Sequence, residues 1–519
     1  MSLSLLHRSS GTANRVRAGF WFGCLAVVCL FAAEPSQAAA EPLPNIVIVY
    51  ADDMGYGDLA VQNTDSKIPT PNLDRLASEG MRFTDAHSSS GICTPSRYAL
   101  LTGRYHWRKF HGIVNSWGES VFDPHRTTLP EMLKSRGYAT ACIGKWHLGW
   151  DWAALRKPDA QMIGTGRKRT WPADAYDWSQ PIPDGPLAHG FDHYFGDDVP
   201  NFPPYAWIKD DRVVQPPTVP YAPNPEPDEG SAEGRPGPMV DGWRQDDVMP
   251  TLTEHVVQWV DQATKDDRPF FLYWPWTSPH APIIPTEAWK GKTDAGPYGD
   301  FIAQSDHHLG QLLNALDQNG LTENTLLIFS ADNGPEKYAY ERIRNHDHRS
   351  TGPLRGLKRD IWEGGHRIPM LIRWPGHVQP GTVNDGLISQ VDLFATLAAV
   401  VGADVPEGMA EDSHDQTALL RGESSARDSV VHNTYANKFA FREGDWVLVD
   451  AKTGNHSAVP AWFDEAFGYA KDDSSAALYR LSDDLSQHDN LIDRYPDKAD
   501  DLRAKLNRTR THGEVRALK

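Results

Sequence analysis

A cysteine, a proline and an arginine are spaced in the sequence so that they could form an anion-binding site. Cys93, Pro95 and Arg97 spell C-x-P-x-R within the stretch GICTPSRYALLTGR. Thr94 is a favourable N-cap and Gly103 suits the position after a last helical turn, so the stretch predicts a short helix that begins just after Cys93. Unpaired N–H groups and the helix dipole then favour a sulfate or phosphate there, with Arg97 facing the same site. The short motif alone is more often a buried cysteine near a surface helix.

Two pairs of oxygen-bearing side chains follow apolar segments and predict a site for a hard cation. Asp52 and Asp53 come directly after one such segment, and Asp332 and Asn333 follow another. Together they offer three carboxylates and an amide oxygen, which are ligands that Ca²⁺ and Mg²⁺ take. Each pair alone is more often a helix cap or a turn. Two pairs at strand ends, beside an anion-binding motif, favour the metal site.

Basic side chains also gather near the ends of predicted strands. Lys145 and His147 follow one apolar segment, His280 follows a second, and Lys358 precedes the sequence W-E-G-G. A single histidine after a strand is more often structural, but two histidines and two lysines together with Arg97 fit an anion site better. The sequence lacks the cysteine and histidine spacing that is typical of zinc, which disfavours a structural zinc site and a zinc phosphatase.

The complete string around Cys93, with its L-T-G-R tail, resembles the signature of the type I, formylglycine-dependent sulfatases. The resemblance extends from Asn45 to about Pro375 and is strongest to arylsulfatases and N-acetylgalactosamine-6-sulfatases. It implies an alkaline-phosphatase-like fold and conversion of Cys93 to formylglycine by a formylglycine-generating enzyme that reads the motif and its tail. It also implies one Ca²⁺ ion, with these ligands: Asp52, Asp53, Asp332, Asn333 and the modified side chain at position 93.

The same resemblance implies a role for each basic residue, carried over by motif. Lys145 and His147 lie in G-K-W-H, His280 lies in S-P-H-A-P, and Lys358 lies in K-x-x-x-W-E-G-G. A hydroxyl of hydrated formylglycine attacks sulfur, while Lys145, Lys358 and Arg97 neutralise the sulfuryl oxygens. His280 then protonates the leaving oxygen. His147 helps to deprotonate the second hydroxyl, which expels sulfate and which a serine or cysteine would lack.

Buried strands must position these residues. Four continuous apolar segments are typical of strands covered on both faces, at residues 45–50, 138–143, 270–274 and 325–330. Helical patterns occur at residues 71–80, 131–137 and 303–316. The alternation predicts an α/β domain with a mostly parallel central sheet flanked by helices. Since functional groups in open α/β sheets cluster beyond the carboxyl ends of strands, we expect the four strand ends to converge on one site.

The pattern changes near residue 424. Residues 429–435, 438–442, 446–450 and 478–481 are typical of short strands, and Pro496–Thr511 has the pattern of a charged amphipathic helix. These segments predict a smaller antiparallel sheet with one helix. We therefore divide the chain into a signal over residues 1–40, a catalytic α/β domain over residues 41–423 and a C-terminal subdomain over residues 424–519.

Residues 1–40 are typical of a secretory signal, with arginines before an apolar run at residues 20–33 and small residues from 36 to 40. The run is shorter than the ~20 residues that span a bilayer, so we expect a secreted or periplasmic protein without stable membrane insertion; an uncleaved anchor is the alternative. Cys24 and Cys29 leave with the signal. Cys93 and Cys142 remain, either as a disulfide or, if Cys93 is modified, with Cys142 as a buried thiol.

The insert between Trp150 and Val248, rich in Pro, Trp and Asp, predicts a substrate-recognition segment, with residues 224–238 as its most mobile part. Candidate stacking rings and hydroxyl partners for a sugar are Tyr205, Trp207, Asp197, Asp198 and Asn201. A net charge of −18 argues against nucleic acid and would repel an extended sulfated polymer. We therefore expect an aryl sulfate or a small or chain-terminal sulfated sugar, and the family resemblance makes a 6-sulfate the first choice.

Two other functions stay open. A phosphodiesterase or phosphonate hydrolase of the same superfamily could use a similar metal and nucleophile, although the L-T-G-R tail and the paired lysines and histidines favour sulfate. An inactive, secreted carbohydrate-binding relative would show decay of the site. All ten matched positions carry the expected residue type, which disfavours that alternative.

Overall fold

The computed structural model describes residue 19, residues 42–221 and residues 229–512. Apart from residue 19, the secretory signal predicted over residues 1–40 lies outside the described residues, as do residues 224–228 of the segment predicted to be most mobile. The chain from Leu43 onward clusters into one compact unit. Within the described part, every helix is too short or too polar to cross a bilayer.

The strands, in chain order, are β1 (Asn45–Ala51), β2 (Met81–Phe83), β3 (Ala86–His87), β4 (Ala139–Ile143), β5 (His193–Gly196), β6 (Ile208–Lys209), β7 (Arg212–Val213), β8 (Val219–Pro220), β9 (Pro238–Met239), β10 (Phe270–Pro275), β11 (Thr325–Ala331), β12 (Met370–Arg373), β13 (Thr382–Asn384), β14 (Ile388–Ser389), β15 (Ser429–Asn433), β16 (Phe439–Glu443), β17 (Trp446–Asp450) and β18 (Ala477–Arg480).

The α-helices are α1 (Pro71–Glu79), α2 (Cys93–Thr102), α3 (Leu129–Ser135), α4 (Val248–Ala263), α5 (Gly296–Gln318), α6 (Ala339–His346), α7 (Glu363–His366), α8 (Leu393–Val401), α9 (Thr417–Leu420), α10 (Ala461–Phe467) and α11 (Pro496–His512).

One mixed sheet carries the predicted site at its centre. Among the described residues its order is β13-β2-β12-β11-β1-β10-β4-β5-β6-β7. The central strands β11, β1, β10 and β4 run parallel, and Val47 of β1 lies opposite both Leu272 and Leu327. Every residue of β1, β10 and β11 is buried, as continuous apolar runs predict for strands covered on both faces. The predicted mostly parallel central sheet is confirmed, although β12 runs antiparallel to both of its neighbours.

The insert adds three strands to the edge of this sheet. β5 pairs parallel with β4, and β6 and β7 continue the sheet beyond it with antiparallel pairing. The sequence analysis predicted no strands here because they are two to four residues long and lie between prolines and glycines. The insert is therefore a structural extension of the main sheet, anchored next to the strand that ends at the predicted Lys145 and His147.

The C-terminal strands form the predicted small sheet. β15, β16, β17 and β18 pair antiparallel in that order. One apolar cluster joins this sheet to α11, through Leu502 and Leu506, and to the chain around the end of α2, through Ala99 and Tyr105. The sheet therefore shares a core with the helix that carries Cys93. The domain boundary near residue 424 stays a prediction.

Gly144 is the residue at which β4 turns toward Lys145, and its conformation requires glycine. Its φ is +132°, and an ideal Cβ at this position would lie 2.0 Å from the carbonyl oxygen of Pro275 at the end of β10. Gly137 also has a positive φ, of +85°, but nothing lies within 4 Å of its Cβ position. Substitutions at these two glycines therefore separate the effect of a positive φ from the effect of a close contact at the Cβ position.

We expect Gly144→Ala to lower the melting temperature much more than Gly137→Ala. Gly137→Ala incurs the ~1–2 kcal/mol cost of a left-handed backbone for an L-residue. Gly144→Ala, at φ of +132°, incurs at least that cost and must also displace Pro275 and the adjoining Lys145 segment. Differential scanning calorimetry of both variants and the unchanged protein measures the difference. Equal shifts for the two variants would contradict the close approach of the two strand ends.

Candidate active site

Neighbouring strand ends bring the predicted residues together. Asp332 follows β11, Asp52 follows β1 and Lys145 lies just beyond β4. The backbone pairing continues past the strands: the N–H of Asp332 donates to Ala51 O (3.0 Å), that of Asp52 to Ser278 O (3.0 Å) and that of Lys145 to Pro275 O (2.9 Å). These bonds fix the backbone at the start of each loop, so the predicted convergence of the four strand ends is confirmed.

Three buried carboxylates each have a buried cation as partner. Asp52 accepts from Lys145 Nζ (2.5 Å), and Asp53 accepts from Lys358 Nζ (2.7 Å). Asp332 accepts from Arg97 Nη2 (2.8 Å) and Nε (3.1 Å). All six side chains are 3% exposed or less. Because an unpaired buried ion is costly, the acidic and the basic residues of this site require one another.

The surroundings shift the pKa values of two of these carboxyl groups in opposite directions. Burial opposes ionisation of Asp53, but Lys358 and His280 outweigh it and hold the pKa of Asp53 well below its usual range. Burial and the neighbouring Asp52 raise the pKa of Asp332 to about 6, against the opposing effect of Arg97. A further positive charge near these carboxylates would favour the ionised form of both.

Two oxygen atoms at the centre of the cluster have no hydrogen-bond partner, and they fit a hard cation. Asp52 Oδ1 and Asn333 Oδ1 are buried and unpartnered among the described residues. The Asn333 amide nitrogen is already committed, because it donates to Asp53 Oδ1 (2.7 Å) and to Gly334 O (2.8 Å). An all-oxygen donor set of this kind suits Ca²⁺ or Mg²⁺ better than a thiophilic or imidazole-preferring metal.

Cys93 opens helix α2 and lines the cavity described below. The helix begins at Cys93 itself, with Ile92 before it, and Gly103 ends it with φ of +63° as predicted. The prediction that Thr94 caps the helix is wrong, because its hydroxyl donates to His147 O (2.9 Å) and accepts from Val114 N (3.2 Å). Thr94 thus connects the Cys93 helix to the His147 segment.

The chemistry of an unmodified thiol at this position is unfavourable. Burial raises the pKa of Cys93, although Lys145 and Lys358 oppose the rise. A thiol that stays protonated is a weak nucleophile. Cys93 and Cys142 are both free and buried, so they do not form the alternative disulfide, and Cys142 packs within β4 as expected for a small apolar side chain.

The two predicted histidines have one ring nitrogen each committed to a backbone carbonyl. His147 Nε2 lies 2.9 Å from Val114 O, so this nitrogen carries the proton, and Nδ1 has no hydrogen-bond partner in the described part of the chain. His280 Nδ1 lies 2.5 Å from Ala281 O, which leaves Nε2 at 3.7 Å from Asp53 Oδ2. Burial and Lys358 lower the pKa of His280 to about 3. Each ring therefore has a fixed orientation and one nitrogen available for proton transfer.

These residues surround a cavity of about 360 Å³. Of the predicted site residues, the cavity is lined by Asp53, Cys93, His147, His280 and Lys358. The other five do not line it, and each is fully buried: Asp52, Arg97, Lys145, Asp332 and Asn333.

The wall of the cavity includes charged residues that the sequence analysis did not identify. Arg359 Nη1 donates to both carboxylate oxygens of Glu336 (2.6 Å each), and Glu336 lies 3.9 Å from Lys358 Nζ. Glu233 and Arg235 form another part of the wall. Glu336 and Arg359 adjoin known motif residues and could have been proposed from that position. Arg235 lies in the segment predicted to be most mobile, and no sequence pattern marked it.

Neither of the rings expected to stack on a sugar, Tyr205 and the half-buried Trp207, lines this cavity. Tyr205 is 2% exposed and stacks on Tyr221 with ring centroids 4.0 Å apart. Trp207 packs between Phe195 and Trp243, at 5.0 and 4.9 Å. Both rings therefore pack against other aromatic side chains of the insert.

The three polar residues predicted as hydroxyl partners for a sugar have different locations. Asp197 is buried, and Asp198 accepts from the N–H of His147 (3.2 Å), so Asp198 positions a site residue. Asn201 does line the cavity. Only Asn201 among the five candidate sugar contacts therefore reaches the substrate space.

Comparison with known proteins finds relatives along nearly the whole chain. The family model described as Sulfatase matches residues 44–403, and the model described as N-sulphoglucosamine sulphohydrolase, C-terminal, matches residues 357–512. The N-acetylgalactosamine-6-O-sulfatase of Bacteroides thetaiotaomicron is 32% identical over 498 residues, covering 90% of this chain and 93% of that protein. Human arylsulfatase A is 33% identical over 487 residues, covering 89% and 86%. A solved structure from work on the metabolism of multiple glycosaminoglycans by Bacteroides thetaiotaomicron aligns with a TM-score of 0.76 at 30% identity, covering 91% of this chain and 100% of that one.

The buried ion pairs lead to a stability prediction. In calcium-free buffer, Lys145→Met should destabilise the fold by ~3–5 kcal/mol, because it removes the hydrogen-bonded cation of the buried Asp52 carboxylate and leaves only Arg97 Nη2 at 3.7 Å. Adding Asp52→Asn should recover most of this loss. Lys471→Met is the control, since Lys471 and Asp473 form an exposed pair that contributes almost nothing. Guanidinium unfolding measures all three, and a Lys145→Met effect no larger than that of Lys471→Met would contradict the pairing.

Proposed function

The chain belongs to the sulfatase family, and from that premise we propose that it hydrolyses sulfate monoesters of carbohydrates at the cavity above Cys93. It is a sulfuric ester hydrolase with an alkaline-phosphatase-like fold. The observation that carries the proposal is the shared cavity: Cys93, Lys358 and His280 line one space directly against three buried, charge-paired carboxylates. The secretory signal predicted over residues 1–40 supports a secreted or periplasmic site of action.

The proposed nucleophile is residue 93 after conversion of its cysteine to formylglycine by a formylglycine-generating enzyme. Two features support the conversion: the full C-x-P-x-R string with its L-T-G-R tail, and the raised pKa of the Cys93 thiol, which makes the unmodified side chain a weak nucleophile. The hydrate of formylglycine would supply one hydroxyl for attack on sulfur, with the sugar oxygen as the leaving group, and a second whose deprotonation would expel sulfate and regenerate the aldehyde.

The proposed metal is Ca²⁺, and the proposed ligands are Asp52, Asp53, Asp332, Asn333 and residue 93. The unpartnered oxygens of Asp52 and Asn333 support this set. When bound, the ion would supply positive charge that lowers the pKa of a neighbouring hydroxyl and favours an anionic group beside it.

Three cations of the chain itself are arranged to stabilise a sulfuryl group. Lys358 lines the cavity and can donate to a sulfuryl oxygen, while Lys145 and Arg97 lie buried next to the floor and add to the positive potential there. Their fixed pairing with carboxylates means that little reorganisation is needed when charge develops on the sulfuryl oxygens.

The two histidines suit the two proton transfers. His280 keeps a proton on Nδ1 for Ala281 O, so Nε2 is the nitrogen that can donate to the leaving oxygen. A bound sulfate ester adds negative charge and favours the protonated ring. His147 keeps its proton on Nε2 for Val114 O, and the lone pair of Nδ1 can accept the proton that is removed when sulfate leaves.

The cavity also suggests how a sugar chain is bound. Beyond Arg235 lies a second cavity of about 550 Å³, which shares Gly234 and Arg235 with the first and is also lined by Asn115, Trp117 and Arg169. Arg235 stacks on Phe202 at 3.7 Å and donates to Asn115 Oδ1 (3.1 Å), and no carboxylate among the described residues pairs with it. We propose that the first cavity takes the sulfated sugar, with a 6-sulfate as the first choice, and that Arg235 faces an anionic group of the neighbouring unit.

Cys93→Ser should abolish catalytic turnover while leaving the fold intact, because serine supplies only one hydroxyl. Cys142→Ala is the matched control, since Cys142 is buried in β4 outside the cavity. Sulfate release by ion chromatography measures the effect, with thermal melts to check folding and a peptide mass to verify that residue 93 is serine. Sulfate release by Cys93→Ser at the unchanged rate would refute the mechanism.

His280→Ala should reduce turnover of a sugar sulfate by ~10²–10⁴-fold, the usual contribution of a general acid, and that of an activated aryl sulfate far less, because a phenolate leaves without protonation. His147→Ala is the control, since its role follows departure of the alcohol and should affect both substrates alike. Comparing kcat for both substrates in both variants decides the matter. Equal losses on the two substrates in His280→Ala would assign it a structural role instead.

Arg235→Met keeps the side-chain stem on Phe202 but removes the charge. It should raise KM for an anionic sulfated disaccharide by about 10- to 100-fold, the effect of losing one charged hydrogen bond, and change KM for a small aryl sulfate little. Arg212→Met, at an exposed arginine away from the cavity, should change neither. Equal effects of Arg235→Met on both substrates would exclude the second cavity from substrate binding.

A further inference from the structure

Three buried histidines from distant parts of the chain meet in a cluster that does not line the substrate cavity. His87 ends β3, His366 ends α7 and His432 lies in β15 of the C-terminal sheet. Each is 1% exposed or less. The rings of His366 and His432 stack with centroids 3.6 Å apart, and one nitrogen from each of the three rings lies within 4.8 Å of the others. None of the three has a role in the proposed sulfatase chemistry.

One nitrogen of each ring faces an oxygen acceptor. His87 Nε2 lies 2.9 Å from Asp85 Oδ1, His366 Nε2 lies 3.2 Å from Ile361 O, and His432 Nδ1 lies 3.1 Å from Ser88 O. The two backbone carbonyls place the proton of a neutral His366 ring on Nε2 and that of a neutral His432 ring on Nδ1.

The carboxylate of this set is firmly ionised. Burial opposes its charge, but Arg367, His87 and Arg442 hold the pKa of Asp85 well below its usual range. Arg442 Nη1 also lies 3.2 Å from His87 Nε2, but it donates to Asp85 Oδ1 (2.7 Å) while Nη2 donates to Asp85 Oδ2 (2.6 Å). Asp85 therefore acts as the acceptor that orients His87.

The remaining nitrogens lie close together. His87 Nδ1 and His366 Nδ1 are 3.1 Å apart, a contact in which at most one of the two can donate. His432 Nε2 is buried and has no hydrogen-bond partner among the described residues. A metal ion would satisfy all three lone pairs at once.

We propose that His87, His366 and His432 bind one first-row transition-metal ion, with Zn²⁺ as the expected occupant. Imidazole nitrogen suits this class of ion, in contrast to the oxygen donors around Asp52. The contacts with Asp85, Ile361 O and Ser88 O are the outer-shell hydrogen bonds that orient histidine ligands in metal sites. The His432 ring stacks on His366 with the planes 12° apart, so it must rotate out of this stack for its nitrogen to point at the ion at a zinc–nitrogen distance of ~2.0–2.1 Å.

The proposed site has a structural role that follows from where its ligands lie. His87 and His366 belong to segments beside the main sheet, whereas His432 belongs to the C-terminal sheet, so one ion would join the two. Asp85 and Glu363 also have carboxylate oxygens within 4.8 Å of a His87 ring nitrogen, where Arg442 and Arg367 pair with them. An ion that binds only the folded chain stabilises it by mass action.

Metal analysis of the untagged, full-length protein tests the proposal. The protein is stripped with a zinc-selective chelator at constant Ca²⁺, reloaded with Zn²⁺ and freed of excess metal by gel filtration. We expect about one zinc ion per chain in the unchanged protein and in the control His308→Leu, whose ring nitrogens both have side-chain partners. His432→Leu should retain about a tenth of that zinc or less. Asp332→Ala should keep its zinc while losing calcium.

The X-ray absorption spectrum at the zinc edge of the reloaded protein gives a second, independent readout that does not require a variant. We expect a shell of three imidazole nitrogens at ~2.0 Å. This spectrum decides the matter even if His432→Leu fails to fold. Zinc uptake by the unchanged protein no greater than that of His432→Leu, or a zinc shell without imidazole, would overturn the proposal.

Discussion

Carboxylates buried side by side repel one another, and the arrangement of the catalytic centre follows from the way this chain offsets that repulsion. Asp52, Asp53 and Asp332 are held by Lys145, Lys358 and Arg97 at 2.5 to 2.8 Å. Each cation comes from a different element: the end of β4, the loop before α7 and helix α2. Because removing either member of a buried pair leaves an unpaired ion, the elements must all be in place at once. A divalent cation added to this balanced set would leave net positive charge, which is what an anionic sulfate ester requires.

The C-terminal sheet takes part in the same arrangement although it carries none of the charge pairs. Its apolar face shares a core with the chain around the end of α2, and Arg442 of β16 binds Asp85 near the main sheet. Tyr435, just after β15, lines the wall of the proposed catalytic cavity. The proposed histidine site would reinforce this junction. Packing, buried ion pairs and a metal ligand set would then act together to hold the cavity wall in place.

The centre of the site could be predicted from the sequence because its elements leave strong local patterns. Continuous apolar runs ending in Asp52, Lys145 or Asp332 indicate buried parallel strands, and the order of such strands brings their ends together. The wall could not be predicted in this way. Arg235 reaches the cavity only through the folding of the insert, and the same fold buries Tyr205, whose ring had looked available for a sugar.

Proximity between distant residues is the information that a single sequence lacks. The three clustered histidines are at positions 87, 366 and 432, far outside the short spacings by which zinc sites are recognised, so the sequence analysis disfavoured a structural zinc site. The helix cap at Thr94 failed for a related reason, since a hydroxyl that suits a local cap was taken by a long-range contact with His147. Local residue preferences predicted helix α2 correctly, whereas the role of the Thr94 side chain depends on a tertiary contact.

The central claim is that residue 93 acts as formylglycine at the charge-paired centre. The most direct measurement is the mass of the tryptic peptide from Phe83 to Arg97, taken from a preparation whose sulfate release has been measured. The account predicts that active preparations carry an aldehyde in place of the thiol, in proportion to their specific activity. A preparation that releases sulfate at the full rate while residue 93 is entirely unmodified cysteine would contradict it.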